Sequence, residues 1–283
     1  MSLMNIAKLQ KLKEEGKKIV GVTAYDYSTA KLIEEAGVDL ILVGDSLAMV
    51  ALGYRDTYII NIDEMVVFVR AVSKGAKNSF IIGDMPFMSY NISIEQGLES
   101  ATKMIKAGAS AIKIEGANNH LLQLIARCTQ CGIPVLGHLG FTPQFLNSIG
   151  GYKVQGKTYE STLKLLEWAN RLVDAGVFGI VLEMVPEESA KYITENLSVP
   201  TIGIGAGKYC SGQILVSDDI LGKFTDFTPK FARKYANINE TMKDAFVQYA
   251  NDVRNLNFPN ETEAFYLEEI EYNKLKEDPH FAN

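Results

Sequence analysis

The stretch Asp174-Ala175-Gly176-Val177-Phe178-Gly179-Ile180-Val181-Leu182-Glu183 decides the fold. Its first residues close a helical pattern over 162–175, and Gly176 stands where a chain leaving a helix wants positive φ. The run 179–182 is apolar at every position, not at alternate ones, as in a parallel strand buried on both faces. It ends in a carboxylate, Glu183. The unit reads helix, Ala-Gly, buried strand, polar strand end.

The same signature recurs upstream. Glu35-Ala36-Gly37 leads into a second apolar run and Lys106-Ala107-Gly108 into a fourth. Working outward, strands are expected at 18–23, 39–44, 79–83, 111–114, 134–137, 179–182, 201–204 and 224–227, the last with the least support. Helical patterns lie between them, for example at 63–74, 94–107, 119–131 and 162–175. This alternation means α/β, and eight units favour a closed (β/α)8 TIM barrel over an open doubly wound sheet. The 283 residues suit one such barrel, which takes about 250. The barrel domain is expected to span 1–262, its last helix at 240–255, with a polar tail at 263–283. Two long connections, 47–62 and 139–159, read as loops covering a substrate.

The composition excludes some partners. The net charge of −6 argues against nucleic acid or an anionic membrane, both of which reward a basic surface. No apolar run approaches the roughly 18–20 residues that span a bilayer, and Met1–Lys8 lacks the apolar stretch of a signal peptide. Cys128, Cys131 and Cys210 are too few for a disulfide scaffold. A cytoplasmic setting is therefore expected. Cys128 and Cys131 form a CxxC at the end of a helical pattern, where nothing lowers a thiol pKa.

Catalytic groups of such barrels come from the C-terminal strand ends. Those ends carry Tyr25-Asp26, Asp45-Ser46, Asp84, Lys113 with Glu115, His138 and Glu183. A single strand-end Asp can be a helix cap. Several carboxylates converging on one mouth repel each other, and a hard cation neutralises them. Oxygen ligands without a second cysteine pair suit Mg²⁺ better than Zn²⁺. Lys113 and Glu115, two apart on one strand, share a face. They are either a structural ion pair or an anion holder beside a metal support. His138 is either a satisfied core histidine or a substrate contact and proton carrier. The apolar surroundings of Glu183 should raise its pKa and suit it to proton transfer. Gly203-Ile204-Gly205-Ala206-Gly207 reads as tight backbone packing more readily than as an anion cradle.

Taken together, Thr23–Asp26, Val43–Ser46, Gly83–Phe87, Ile112–Gly116, Gly137–Gln144, Gly150–Gly156, Ile202–Gly207 and Thr228–Phe231 closely resemble the ketopantoate hydroxymethyltransferase family, in family order across about 6–250. The resemblance implies a Mg²⁺-dependent barrel that moves a hydroxymethyl group from 5,10-methylenetetrahydrofolate to 3-methyl-2-oxobutanoate, giving 2-dehydropantoate through a metal-stabilised enolate. It implies Asp45 and Asp84 as metal ligands, with Glu115 bound directly or through water. Asp45, Ser46, Asp84 and Lys113 would hold the oxo acid, His138 and Tyr25 would line the site, and Glu183 would be the base. It also implies a homo-oligomer, commonly a decamer. Three positions depart from the family pattern: Ala48 where Gly is common, Tyr58-Ile59 where Leu-Pro is expected, and Ser211 where Asp is usual. The competing reading is a Mg²⁺-dependent 2-oxo-acid lyase or mutase of the isocitrate lyase and phosphoenolpyruvate mutase type, which would need no folate.

Overall fold

The computed structural model describes residues 3–281. They divide into two compact units, one running to Tyr235 and the other from Ala236. The sequence reading drew its line after residue 262. The second unit holds the helices Ile238–Arg254 and Glu269–Lys276, neither with a buried residue.

The first unit contains eight strands: β1 Ile19–Thr23, β2 Leu40–Val43, β3 Phe80–Asp84, β4 Ala111–Glu115, β5 Val135–Gly140, β6 Gly179–Glu183, β7 Thr201–Ile204 and β8 Gly212–Leu215. All pair in parallel, each with the next, and β8 returns to β1 to close the barrel. The expected (β/α)8 architecture is what the chain adopts.

The apolar runs supply two cores because successive side chains point to opposite faces. Leu40, Leu42, Phe80, Ile82, Ala111, Leu136, Val181, Ile202 and Ile214 form the inner cluster. Ile41, Val43, Ile81, Ile112, Ile114, Val135, Ile180 and Leu182 belong to the cluster shared with the helices. The helix Ile6–Glu14 adds Leu9 to the inner cluster, with Ile6 and Leu12 packed against it. Apolar side chains thus fill the lower barrel. Asp84, Lys113, Glu115, His138 and Glu183 have the inward parity of their own strands but lie one or two steps further along. The strand alternation that builds the core therefore also delivers the polar groups to its upper rim.

Local chemistry fixes the joints. Gly37, Gly108 and Gly176 adopt φ of +79°, +111° and +99° after their helices, as the Ala-Gly signature requires. Asp26, a strand-end acid by sequence, caps the helix Tyr27–Glu35 by accepting from the Thr29 amide at 2.8 Å. Asn61 and Glu64 form a capping box for Ile62–Gly75.

The eighth strand is not at 224–227. It is Gly212–Leu215, where only Ile214 and Leu215 are apolar. Gly212 is demanded by close approach, since a Cβ there would come within 2.4 Å of the Ile19 carbonyl oxygen. A strand opened by Ser211-Gly212 reads as a turn. Phe224 and Phe227 are apolar for another reason: they line a cavity.

Candidate active site

Three carboxylates meet above the inner core. Ligand atoms of Asp45, Asp84 and Glu115 all lie within 4.8 Å of one another. The residues are buried, at 4%, 1% and 0% exposure. Asp45 follows β2, Asp84 ends β3 and Glu115 ends β4, so adjacent strands bring them together. The Asp45 amide donates to Asp84 Oδ2 at 3.1 Å.

Lys113 bridges the cluster. Its Nζ lies 2.6 Å from Asp84 Oδ1 and 3.0 Å from Glu115 Oε1. The Lys113–Glu115 spacing gives an ion pair, and that pair belongs to the acidic cluster. Burial would depress the Lys113 ammonium, but the charges of Asp84, Glu115 and Asp45 outweigh it and hold it well above the usual range. Burial would raise Glu115, yet Lys113 and His138 hold its carboxyl down at about 2. Asp45 makes no such ion pair, and the charge of Lys113 and a hydrogen bond from Gln144 only partly offset its surroundings. Burial first, then the charge of Asp84, pushes its carboxyl well up. Three buried carboxylates against one lysine leave negative charge over, and an all-oxygen donor set fits a hard divalent cation.

His138 stands between two acids. Nδ1 is 3.2 Å from Glu115 Oε1 and Nε2 is 3.2 Å from Glu183 Oε2. Neither contact is aligned as a hydrogen bond. Burial lowers the imidazole pKa, but the charge of Glu115 and the contacts to Glu115 and Glu183 raise it to about 9. The Glu183 side chain is 15% exposed. It reaches the cavity and is less sealed than its apolar run suggests.

That cavity, about 350 Å³, is reached by Asp45, Ser46 and Glu183. Asp84, Lys113, Glu115 and His138 are buried and do not line it. Nor does Tyr25, whose hydroxyl lies 3.0 Å from Ser46 Oγ and accepts from Thr23 Oγ1 at 2.8 Å. Tyr25 positions Ser46 from behind. Both long loops contribute walls, through Asp56, Thr57 and Tyr58 on one side and Phe141, Leu146 and Tyr152 on the other. Tyr58, one of the departures, ties them: its hydroxyl accepts from the Asn147 amide at 3.2 Å. Ala48 is fully buried, and Ser211 exchanges hydrogen bonds with Thr201.

The residue that sequence reasoning passed over is Gln144. Its Nε2 donates to Asp45 Oδ2 at 3.0 Å and to the Met85 carbonyl at 2.9 Å. Its Oε1 accepts from the Tyr90 hydroxyl at 2.7 Å, and its amide donates to Glu115 Oε2 at 3.1 Å. The signal was present, because Gln144 closes the quoted segment Gly137–Gln144, but nothing local announces a partner just beyond β2.

At Gly203–Gly207 the backbone-packing reading holds. Gly207 packs on Glu187, whose Oε2 accepts from the Lys208 amide at 3.0 Å, so an acid stands where an anion cradle would be. Cys128 and Cys131 are both free thiols, and burial pushes Cys128 up to about 11.

Comparison with known proteins adds to this geometry. The chain is 53% identical over 262 residues to the 3-methyl-2-oxobutanoate hydroxymethyltransferase of Thermosipho melanesiensis, covering 93% of this chain and 98% of that one. To the enzyme of the same name from Clostridium botulinum (strain Alaska E43 / Type E3) it is 49% identical, covering 95% and 98%. Among solved structures, a phosphonopyruvate hydrolase in complex with oxalate and Mg²⁺ has a TM-score of 0.59 at 14% identity, covering 97% of this chain and 96% of that one. A 2,3-dimethylmalate lyase of the PEP mutase/isocitrate lyase superfamily has a TM-score of 0.60 at 15% identity, covering 99% and 93%. At that identity these two structures speak for the fold alone. The family model for ketopantoate hydroxymethyltransferase matches residues 3–261, and with relatives near 50% identity over almost its whole length the chain belongs to that family.

Proposed function

We propose that the protein transfers a hydroxymethyl group from 5,10-methylenetetrahydrofolate to C3 of 3-methyl-2-oxobutanoate, giving 2-dehydropantoate and tetrahydrofolate with uptake of water. One observation carries the reading: a buried three-carboxylate cluster and a separate carboxylate, Glu183, share one barrel mouth with His138 between them.

Asp45, Asp84 and Glu115 would hold a divalent cation, Mg²⁺ by donor chemistry. Bound there, the cation supplies Lewis-acid polarisation of the substrate's keto oxygen. Ser46, with Tyr25 behind it, and Lys113 serve the polar end of the oxo acid. Glu183 lies on the open side of the cluster and takes the C3 proton. His138, 3.2 Å from Glu183 Oε2, fixes the Glu183 carboxylate between proton transfers. The electron pair released at C3 forms the new bond to the one-carbon unit. The apolar cavity walls keep bulk water from quenching that carbanion.

The exposed large apolar side chains of the second unit, among them Phe246, Tyr249, Phe258 and Phe265, support a homo-oligomer, with the decamer of the family as its form. Among the described residues no helix is long and apolar enough to cross a membrane; the cytoplasm is the proposed location.

The test is transfer of label from a ¹³C-methylene folate. Label in the hydroxymethyl carbon of the product is expected. Consumption of the oxo acid at full rate without folate would instead fit a lyase or mutase.

A further inference from the structure

A cavity of about 350 Å³ falls in the range, roughly 300–1,000 Å³, that takes a drug-sized ligand. A five-carbon oxo acid held at Asp45 and Ser46 leaves most of it free. The free part is walled by rings. Tyr58 comes from the loop after β2, Phe141 and Tyr152 from the segment closing β5, and Phe227 and Phe231 from the segment after β8. Phe141 and Tyr152 lie 5.1 Å apart with a tilt of 33°. Phe231 closes over Gly205, whose φ is +62°, where an added Cβ would come within 2.7 Å of its ring.

One further carboxylate sits among these walls. Asp219 lines the cavity and is 6% exposed. None of the described residues gives it a hydrogen bond or an ion pair. Its neighbour Asp218 differs: it accepts from Ser217 Oγ at 3.2 Å and pairs with Lys223 at 3.3 Å. A buried carboxylate without a partner is costly. Burial, and then the charge of Asp218, pushes Asp219 up to about 6, with the charge of Lys234 pulling the other way. A ligand with donors aimed at it would relieve that cost.

We infer that Asp219 accepts the ring N–H and amino hydrogens of the pterin of the one-carbon donor, while the aromatic walls stack on the flat face of that ring. This rests on the transferase reading above. A pterin presents a ring N–H beside an amino group, a two-donor fork that matches the two oxygens of a carboxylate. Its pyrimidinone half is planar and stacks on aromatic side chains whatever its substituents. The placement also sets the order of the cavity: metal cluster, oxo acid, then donor ring, with Glu183 on the wall between them.

The test is calorimetric titration of the full chain with tetrahydrofolate, and separately with 3-methyl-2-oxobutanoate plus Mg²⁺. Asp219→Asn is expected to weaken tetrahydrofolate roughly 30-fold, as for loss of a charged hydrogen-bond pair. The oxo acid should move by less than about twofold, because its contacts lie elsewhere. Phe227→Ala, at a position 60% exposed and therefore safe for folding, should weaken tetrahydrofolate about tenfold through lost stacking. An analogue with methyl in place of the ring amino group should bind the native chain weakly and be insensitive to Asp219→Asn. Native affinity for tetrahydrofolate in Asp219→Asn, or in Phe227→Ala if the first variant loses both ligands, would overturn this inference alone. Failure of the native chain to bind tetrahydrofolate while it binds the oxo acid would overturn the transferase reading and this inference with it.

Discussion

Replacing Gln144 with methionine should loosen the acidic cluster from outside it. Methionine keeps the length of glutamine and removes both polar ends. The Gln144 side chain makes three hydrogen bonds, to Asp45 Oδ2, the Met85 carbonyl and the Tyr90 hydroxyl. All three partner residues are buried, at 4%, 0% and 0% exposure. Each lost bond costs about 1 kcal/mol, and a buried partner left unsatisfied costs about 1–3 kcal/mol. Counted once per site and near the low end of that range for each of the three partners, the sum is about 3–5 kcal/mol, with Asp45 the largest share because burial and the charge of Asp84 already hold it the least compensated of the three acids. At about 2–4 °C per kcal/mol for a domain of this size, the melting temperature should fall by roughly 6–20 °C. Orienting partners of ligating carboxylates also set metal affinity, so Mg²⁺ should bind roughly 10–100-fold more weakly. Thermal unfolding by circular dichroism and a Mg²⁺ titration read both numbers. A fall of less than about 2 °C, with Mg²⁺ affinity unchanged, would show that these hydrogen bonds carry neither the fold nor the site.

Three other perturbations follow from the same cluster. Lys113→Met removes the lysine that pairs with Asp84 and Glu115 and should destabilise the metal-free protein by about 3–5 kcal/mol; added Mg²⁺ should recover much of that loss in a thermal melt, and no recovery would place the cation elsewhere. His138 has a folded pKa of about 9, above its unfolded value near 6.5, so its contribution to stability is full below about pH 6.5 and lost as pH rises through about 9. Urea unfolding in EDTA from pH 6 to 10 should show that decline, and His138→Asn should flatten it. Glu183→Gln should bind the oxo acid with Mg²⁺ as the native chain does, measured by calorimetry, while yielding no 2-dehydropantoate.

The strand ends were legible in the sequence because one rule governs both core and site. An apolar run such as Ile180-Val181-Leu182 puts the polar residue that ends it at the rim, and Asp45, Asp84, Glu115 and Glu183 were singled out as such strand-end acids; parity then turns Asp84, Glu115 and Glu183 inward, while Asp45 reaches the cluster from just beyond β2. Gly37, Gly108 and Gly176 were legible because a helix end restricts φ locally. Gln144 was not, since its partner Asp45 lies 99 residues away and only the folded loop brings them together. Tyr25 was expected to line the site, but its hydrogen bonds to Ser46 and Thr23 hold it behind the wall. The eighth strand escaped because its glycine serves close packing against β1 and its apolar content is two residues. Phe224 and Phe227 misled for the converse reason, being apolar toward a cavity.

The central claim is that the carboxylate cluster activates an oxo acid whose C3 proton Glu183 removes. Deuterium exchange at C3 of 3-methyl-2-oxobutanoate in D₂O, followed by NMR without folate, tests it most directly. The account predicts exchange with the native chain and Mg²⁺, none after EDTA, and none with Glu183→Gln. Exchange that persists without a divalent cation, or at the native rate in Glu183→Gln, would contradict it.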